Sequence, residues 1–433
     1  MFIAAVVLFA CISVVKNNPN VQSDALFIGS ISARDKNHFR SVFETHVNES
    51  SSDISKTYHA ILGLHSLNER VPNADSACST LNKPISNSEE AFYMSSLHKL
   101  IGTAKCKVSG SEVEKLSKQL LTEDISIENL FYLVSSMKSL QIKIDANRVT
   151  SIINKIKTTD TSPMTLSFVL QIVLQLGLTK TDMNGYVSSI DKVLDQANEI
   201  SDNQLFYEKG LYTTSFVAKS IVDFLTVYGE VPKSVENKLI KLFNYLYTRR
   251  QTANLRASAY LVAAFKSLTD CPVLLPVVVE SSVKINEDLG LAIPPTFSVD
   301  QAHPILTLRL KHIWTNVYLK PSELNLKADG LYAIKQAGNK RILIGSPDRG
   351  TFKQDDKNNA FQLTLDLDAK TTPGQYELGV TGTPGSSNKA DNRRKLLGIT
   401  NVQIPLRIIT EAKVAEAKVT IMDIAHERHI ADI

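Results

Sequence analysis

The feature that most restricts the fold is an apolar helix that keeps returning. Apolar residues at helical spacing occupy 57–67, 91–101, 129–140 and 165–176, and each stretch carries aromatics: Tyr58, Phe92 with Tyr93, Phe131 with Tyr132, and Phe168. Tyr58 to Tyr93 is 35 residues, followed by 39 to Tyr132 and 36 to Phe168. Looser members follow at 211–224 with Phe216 and at 255–268 with Tyr260. A period in this range marks stacked helical hairpins, because one hairpin cannot bury its apolar face alone.

Amphipathic helices are expected between these. Val149, Ile152, Ile153 and Ile156 form one stripe, Val235, Leu239, Leu242 and Leu246 a second, and Val113, Leu116 and Leu120 a third. Such stripes place one face on a core and turn polar residues outward. An early helix near 33–47 uses Phe39, Val42 and Phe43. Ser162 followed by Pro163 is a helix start, and Gly102, Gly177 and Gly229 are stops. The expectation is a two-layered α/α helical-hairpin repeat over 30–271, with the near-continuous apolar helices inside. Spacing leaves a closed toroid and an open solenoid both standing.

Near residue 272 the apolar period changes to two. Leu306, Leu308 and Leu310 alternate with polar residues, as do Phe361, Leu363, Leu365 and Leu367, then Tyr376, Leu378 and Val380, then Val402, Ile404, Leu406 and Ile408. Residues 276–279 form a short apolar run. Short alternating strands between Gly, Pro, Asn and Asp turns predict an antiparallel, Ig-like β-sandwich over 272–410. Residues 386–395 read as a polar, basic hairpin tip. Residues 411–433 begin a further segment, with a strand at 418–422. The chain is thus expected to be α+β and multidomain.

The first fifteen residues are almost wholly apolar up to Lys16. That is too short for an ordinary spanning helix and fits a secretory signal peptide at 1–15, with Cys11 and Ser13 as small residues before cleavage. The alternative is a buried N-terminal strand or helix. An oxidising compartment would permit a disulfide among Cys78, Cys106 and Cys271. Cys78 with Cys106, near the ends of consecutive helical units, is the preferred pair, and three reduced cysteines is the alternative. Asn48-Glu49-Ser50 is an N-glycosylation sequon in a polar run between two helices. The formal net charge of +4 is too balanced for a nucleic-acid partner.

No catalytic constellation emerges. Asp355 and Asp356, the one adjacent aspartate pair, read as a turn. His426 and His429 are three apart, where the zincin motif needs four. None of the cysteines has zinc spacing. There is no G-x-S-x-G and no phosphate loop. His59, His65 and His98 read as packing or surface residues, and His303 as a linker. The expectation is no catalytic residue, no cofactor and no metal.

Several segments resemble the ribophorin II family. They are Thr57-Tyr58-His59-Ala60-Ile61-Leu62-Gly63-Leu64 with Val71-Pro72-Asn73-Ala74-Asp75 and Cys78, Ala91-Phe92-Tyr93 with Cys106, and Glu208-Lys209-Gly210-Leu211-Tyr212-Thr213-Thr214. Pro276-Val277-Val278-Val279 and Pro373-Gly374-Gln375-Tyr376 resemble its strand landmarks, and Gly398-Ile399-Thr400 matches more loosely. The resemblance runs from about residue 30 to 422. It implies a non-catalytic accessory subunit of the oligosaccharyltransferase on the lumenal side of the endoplasmic reticulum membrane. Its partners would be ribophorin I and the catalytic membrane subunit. It also implies a second sheet domain and membrane helices beyond this sequence. Two other readings stand beside it: a lumenal α/α-ring enzyme acting on a lipid or sugar, and a secreted or lumenal toroid binding protein outside any complex.

Overall fold

The computed structural model describes residues 27–48, 53–79, 83–102, 106–200, 203–281, 295–301, 303–334, 341–343, 352–365, 367, 371–384, 395–398 and 402–410. The signal segment at 1–15, the basic tip at 386–394, the strand at 418–422 and the His426–His429 pair lie outside them.

The helical half is built from α1 (Ala33–Asn48), α2 (Ile54–Ser66), α3 (Ala74–Ser79), α4 (Ser88–Ile101), α5 (Gly110–Leu120), α6 (Ile127–Ser139), α7 (Ala146–Thr159), α8 (Pro163–Leu176), α9 (Lys180–Leu194), α10 (Leu211–Tyr228), α11 (Glu236–Thr248) and α12 (Leu255–Asp270). Burial sorts them into two layers. Every residue from Thr165 to Val173 in α8 is buried, so that helix is packed on all sides. In α7 only Val149, Ile152 and Ile153 are buried, as an amphipathic stripe requires. The even-numbered helices form the inner layer. Each packs on the next, and α12 packs on α2, so the inner contacts close into a cycle. α1 packs on both α2 and α12 and covers the seam.

Local chemistry fixes where the inner helices begin. Asp53, Asn87, Ser126, Ser162 and Asn254 are N-caps whose side chains accept backbone amide hydrogens of α2, α4, α6, α8 and α12. Each such cap contributes about 1 kcal/mol. Gly177 and Gly229 end α8 and α10 in the left-handed region, at φ 65° and 79°. α1 and α2 approach closely because position 63 has no side chain. A Cβ there would lie 2.3 Å from the Phe43 ring.

The sheet half carries two five-stranded sheets. One has the order β4 (Thr296–Ser298), β12 (Val402–Ile409), β10 (Gly374–Pro384), β6 (Leu324–Ile334), β7 (Arg341–Leu343). The other runs β11 (Lys395–Leu397), β3 (Leu274–Ser281), β5 (Ile305–His312), β9 (Ala360–Thr364), β8 (Lys353–Asp355). The alternating residues meet across strands: Tyr376 faces Leu406, Leu378 faces Ile404, Leu306 faces Leu363 and Leu308 faces Phe361. Their buried sides join one core drawn from both sheets. A short hairpin, β1 (Asn198–Ile200) with β2 (Gln204–Phe206), stacks Phe206 on Tyr245 of α11.

Several expectations need correction. The sheets are not wholly antiparallel, since β4 runs parallel to β12 and β11 parallel to β3. In both pairs the parallel partner sits at a sheet edge, beside an otherwise antiparallel set. β6, the small hairpin and α9 were not anticipated. Asn48 lies at the end of α1 and not in a loop, because no breaker precedes it and Thr45 and His46 bond back to the carbonyls of Ser41 and Val42. Lys395 begins a strand and is not part of the basic tip expected over 386–395.

The two halves are joined by a strap from the chain start. The Ile31 amide donates to the Ile313 carbonyl at 2.8 Å, and the Asn316 side chain donates to the Ile31 carbonyl. Lys36 Nζ donates to the Trp314 carbonyl at 2.7 Å and sits 4.6 Å from the centre of its ring. The other face of the junction is Phe265 of α12, stacked on Trp314 at 5.9 Å.

Candidate functional site

An enzyme built on a ring of helices keeps its chemistry in the axis, and here one level of the axis is filled by aromatic rings. Tyr58, Tyr93, Tyr132, Phe168, Phe216 and Tyr260 each come from the first two turns of an inner helix and are buried. Neighbouring rings touch around the cycle: Tyr58–Phe92 at 5.3 Å, Phe92–Phe131 at 5.3 Å, Phe131–Phe168 at 5.2 Å, Phe168–Phe216 at 4.9 Å and Phe216–Tyr260 at 5.6 Å. Phe131 also meets Phe216 at 6.2 Å across the intervening helix α8, so the rings reach the middle. Such pairs add about 0.5–1.5 kcal/mol each beyond area burial.

On the side of the helix N-termini the phenols are tied down. Tyr93 donates to Glu89 at 2.9 Å and Tyr132 to Glu128 at 2.8 Å. The Arg256 guanidinium lies 3.8 Å from the Tyr212 ring centre. Burial pushes the Tyr93 phenol up to about 12 and those of Tyr58, Tyr132, Tyr212 and Tyr260 upward as well. These groups therefore stay protonated near neutral pH.

His59 sits in the same layer, buried and 5.8 Å from the Tyr260 ring. Burial, followed by the charge of Arg256, pulls its imidazole down to about 4 from 6.5. Between those values the unfolded chain binds a proton that the folded chain refuses, so stability is full above 6.5 and falls as pH drops toward 4. The loss at the lower end is about 3 kcal/mol. Thermal unfolding from pH 7 to 4 should show this slope in the parent chain and a flatter one in His59→Gln. Parallel slopes would exclude His59 as the source.

On the other side of the plug the inward positions change to Leu62, Ser96, Ser135, Gln171, Lys219 and Ala263. Gln171 Nε2 donates to Asp223 Oδ2 at 3.0 Å, and Lys219 pairs with the same oxygen. Among the described residues no group of three or more His, Cys, Asp or Glu side chains is placed to hold a metal ion. Likewise, among the described residues no helix is long and apolar enough to cross a membrane.

Comparison with known families decides the relationship. The family description "Ribophorin II N-terminal domain" matches residues 31–269, more than half of the chain and the whole inner cycle. The chain belongs to the ribophorin II family. Among solved structures, one similar chain is the Pseudomonas fluorescens alkylpurine DNA glycosylase AlkC bound to DNA containing an abasic site analog, at 10% identity and a TM-score of 0.21 over 87% of this chain and 97% of that one. Similarity that low carries no argument about this ribophorin II-family protein.

The residues singled out by sequence lie at the rim of the ring and beyond it. Cys78 at the end of α3 and Cys106 after α4 are bonded in the structure, with Cα atoms 5.0 Å apart, so the link straddles an inner helix. His98 of α4 bonds to the Cys106 carbonyl beside it. Cys271 is a buried thiol. A link across 28 residues stabilises by about 3 kcal/mol in the chain-entropy picture. The double variant Cys78→Ser, Cys106→Ser should lose that amount in urea unfolding, and an unchanged midpoint would count against the bond. Asn48 is exposed, and its side-chain oxygen accepts from Asn73 at 3.2 Å. Asp355 closes β8 and bonds Asn358 in the turn that follows, and among the described residues no third acid is placed with it to hold a metal. The plug and the polar group behind it were not recognised from sequence, although the recurring aromatics were their visible sign.

Proposed function

We propose that the chain is a non-catalytic accessory subunit of the oligosaccharyltransferase complex. It supports assembly and the N-linked glycosylation of nascent proteins on the lumenal side of the endoplasmic reticulum membrane. The observation that carries this reading is the family match over residues 31–269. The aromatic plug agrees with it, since a filled axis suits a part whose work is contact at its outer faces.

In the same reading the chain divides into a signal peptide at 1–15, an α/α toroid at 30–271, an Ig-like sandwich at 272–410 and the start of a further segment at 411–433. The closed cycle of inner helices supports the toroid over the solenoid. For the sandwich, support comes from the shared core of its sheets and from Tyr376, whose hydroxyl reaches back to the Thr372 carbonyl as in a tyrosine corner. Cys78–Cys106 is the structural disulfide of the toroid, and Asn48 carries a glycan. The partners are ribophorin I and the catalytic membrane subunit.

Immunoprecipitation of the tagged chain from detergent-solubilised microsomes tests the assignment. The catalytic subunit should co-purify in stoichiometric amount. Recovery of the chain alone would remove the assignment and favour a free lumenal or secreted binding protein. In the same samples, glycosidase treatment should shift the chain's mobility, and Asn48→Gln should abolish the shift if Asn48 is the modified site.

A further inference from the structure

The phenols near the helix N-termini fall into two sets. Tyr93 and Tyr132 donate to Glu89 and Glu128, on α4 and α6. Tyr58, Tyr212 and Tyr260, on α2, α10 and α12, reach no carboxylate or carbonyl acceptor among the described residues. Instead the Tyr58 and Tyr260 hydroxyls meet each other, and the Tyr212 hydroxyl meets the Arg256 guanidinium. One proton satisfies the first pair, which leaves a second O–H over. Arg256 can only donate, so the Tyr212 proton is left over as well. Tyr58 and Tyr260 are each only 6% exposed. The side-chain oxygens that are both sealed and unbonded belong to other residues, Ser135 and Ser215 among them, so these phenols still open to solvent.

Arg256 supplies the charge beside them. Its guanidinium lies 3.8 Å from the centre of the Tyr212 ring, and that ring is 5.0 Å from Tyr260. Arg256 is exposed, and among the described residues no carboxylate pairs with it. It occupies the second position of α12, where the helix dipole opposes a cation. Every group left over here is therefore a donor. A stacked, unpaired guanidinium fork next to surplus O–H donors suits an acceptor that carries negative charge. Glu89 and Glu128 stand across the cycle from α10 and α12, and their charges reach Tyr212. They repel a dianion about twice as strongly as a monoanion. That favours a carboxylate over a phosphate.

We propose that the N-terminal mouth of the helical ring binds a carboxylate, with Arg256 laid on Tyr212 as the charged fork and the Tyr58 and Tyr260 phenols as further donors. This reading is independent of membership in the glycosyltransfer complex.

The test is saturation-transfer NMR of the intact chain with sodium phenylacetate at constant ionic strength, using acetate and inorganic phosphate as competitors. Phenylacetate should bind saturably in the millimolar range, and acetate should displace it better than phosphate does. Arg256→Gln should weaken binding at least tenfold, the value of a lost charge-assisted hydrogen bond, and Tyr58→Phe roughly fivefold. Arg249→Gln is the control. That arginine is also stacked on a tyrosine, 5.0 Å from the Tyr245 ring, but lies at the end of α11, and its loss should leave binding unchanged. Arg256 is exposed and Tyr58→Phe removes one hydroxyl, so both variants should melt with the parent, which separates lost binding from lost folding. The proposal is overturned if phenylacetate does not saturate, if either variant binds as the parent does, if Arg249→Gln weakens binding as much as Arg256→Gln, or if phosphate is the better competitor.

Discussion

Asp35→Ala is expected to destabilise the chain by about 3–5 kcal/mol, the cost of breaking a buried charged pair together with the cap that shares its carboxylate. Asp35 is 4% exposed and serves two elements at once. Its Oδ2 accepts from the Ser32 amide at 2.9 Å and hydroxyl at 2.7 Å, while the Ser32 hydroxyl accepts the Asp35 amide at 3.1 Å, a reciprocal cap that starts α1. Its Oδ1 accepts from Gln251 at 2.8 Å and pairs with Arg250 Nε at 3.3 Å, in the turn between α11 and α12. Truncation removes the cap and takes one partner from Arg250, whose guanidinium also lies 4.5 Å from the centre of the Tyr247 ring. Urea unfolding of Asp35→Ala, Arg250→Ala and the double variant should give a coupling energy above about 1 kcal/mol. Additive losses, or a single-variant loss below 1 kcal/mol, would show that the carboxylate is not the fastener of the seam.

Phe131→Ala should cost a similar amount, about 3–5 kcal/mol, through the cavity it leaves. Its ring touches Phe92, Tyr132, Phe168 and Phe216, which come from four different inner helices if its own is included. Collapse around the gap is resisted because those helices are fixed by their neighbours in a closed cycle. Phe131→Leu keeps most of the volume and should lose less than half as much. Equal losses in the two variants would argue against a packed axis, as would a Phe131→Ala chain with an unchanged unfolding midpoint.

Much of this was readable from sequence, for reasons that also explain the failures. The inner helices announced themselves because burial on all sides demands unbroken apolar runs, as in α8. Ser162, Gly177 and Gly229 acted as their chemistry predicts. α9 escaped notice although Met183, Tyr186, Ile190 and Val193 fall at helical spacing, because polar residues and Gly185 dilute the stripe. β6 was hidden by a bulge. Leu324, Leu326 and Ala328 alternate on even numbers, then Asp329 drops out of register and Leu331 and Ala333 continue on odd ones. A period-two search sees two fragments where the fold has one continuous strand. Ring closure was illegible for a different reason: repeat spacing describes neighbours, and the α12–α2 contact joins elements that are far apart in sequence. The polar group behind the plug was hidden similarly, since Gln171 and Asp223 become partners only once α8 and α10 lie side by side.

The strap at the chain start has a consequence for how the protein is made. Lys36 contacts Trp314 across 278 residues, and Asp35 contacts Gln251 across 216. A ribosome therefore delivers α1 and its neighbour α2 long before α12 and Trp314 exist to complete their packing. Early hairpins can stack as they emerge, but α2 presents an apolar flank to the surroundings until α12 arrives, and the clasp over the seam forms only after β5 and the turn that carries Trp314 have been synthesised. Such long-range completion is slow, and the waiting intermediate is prone to aggregate. A nascent chain stalled anywhere before the last inner helix would display that flank, giving chaperones a long-lived signal that the circle is open.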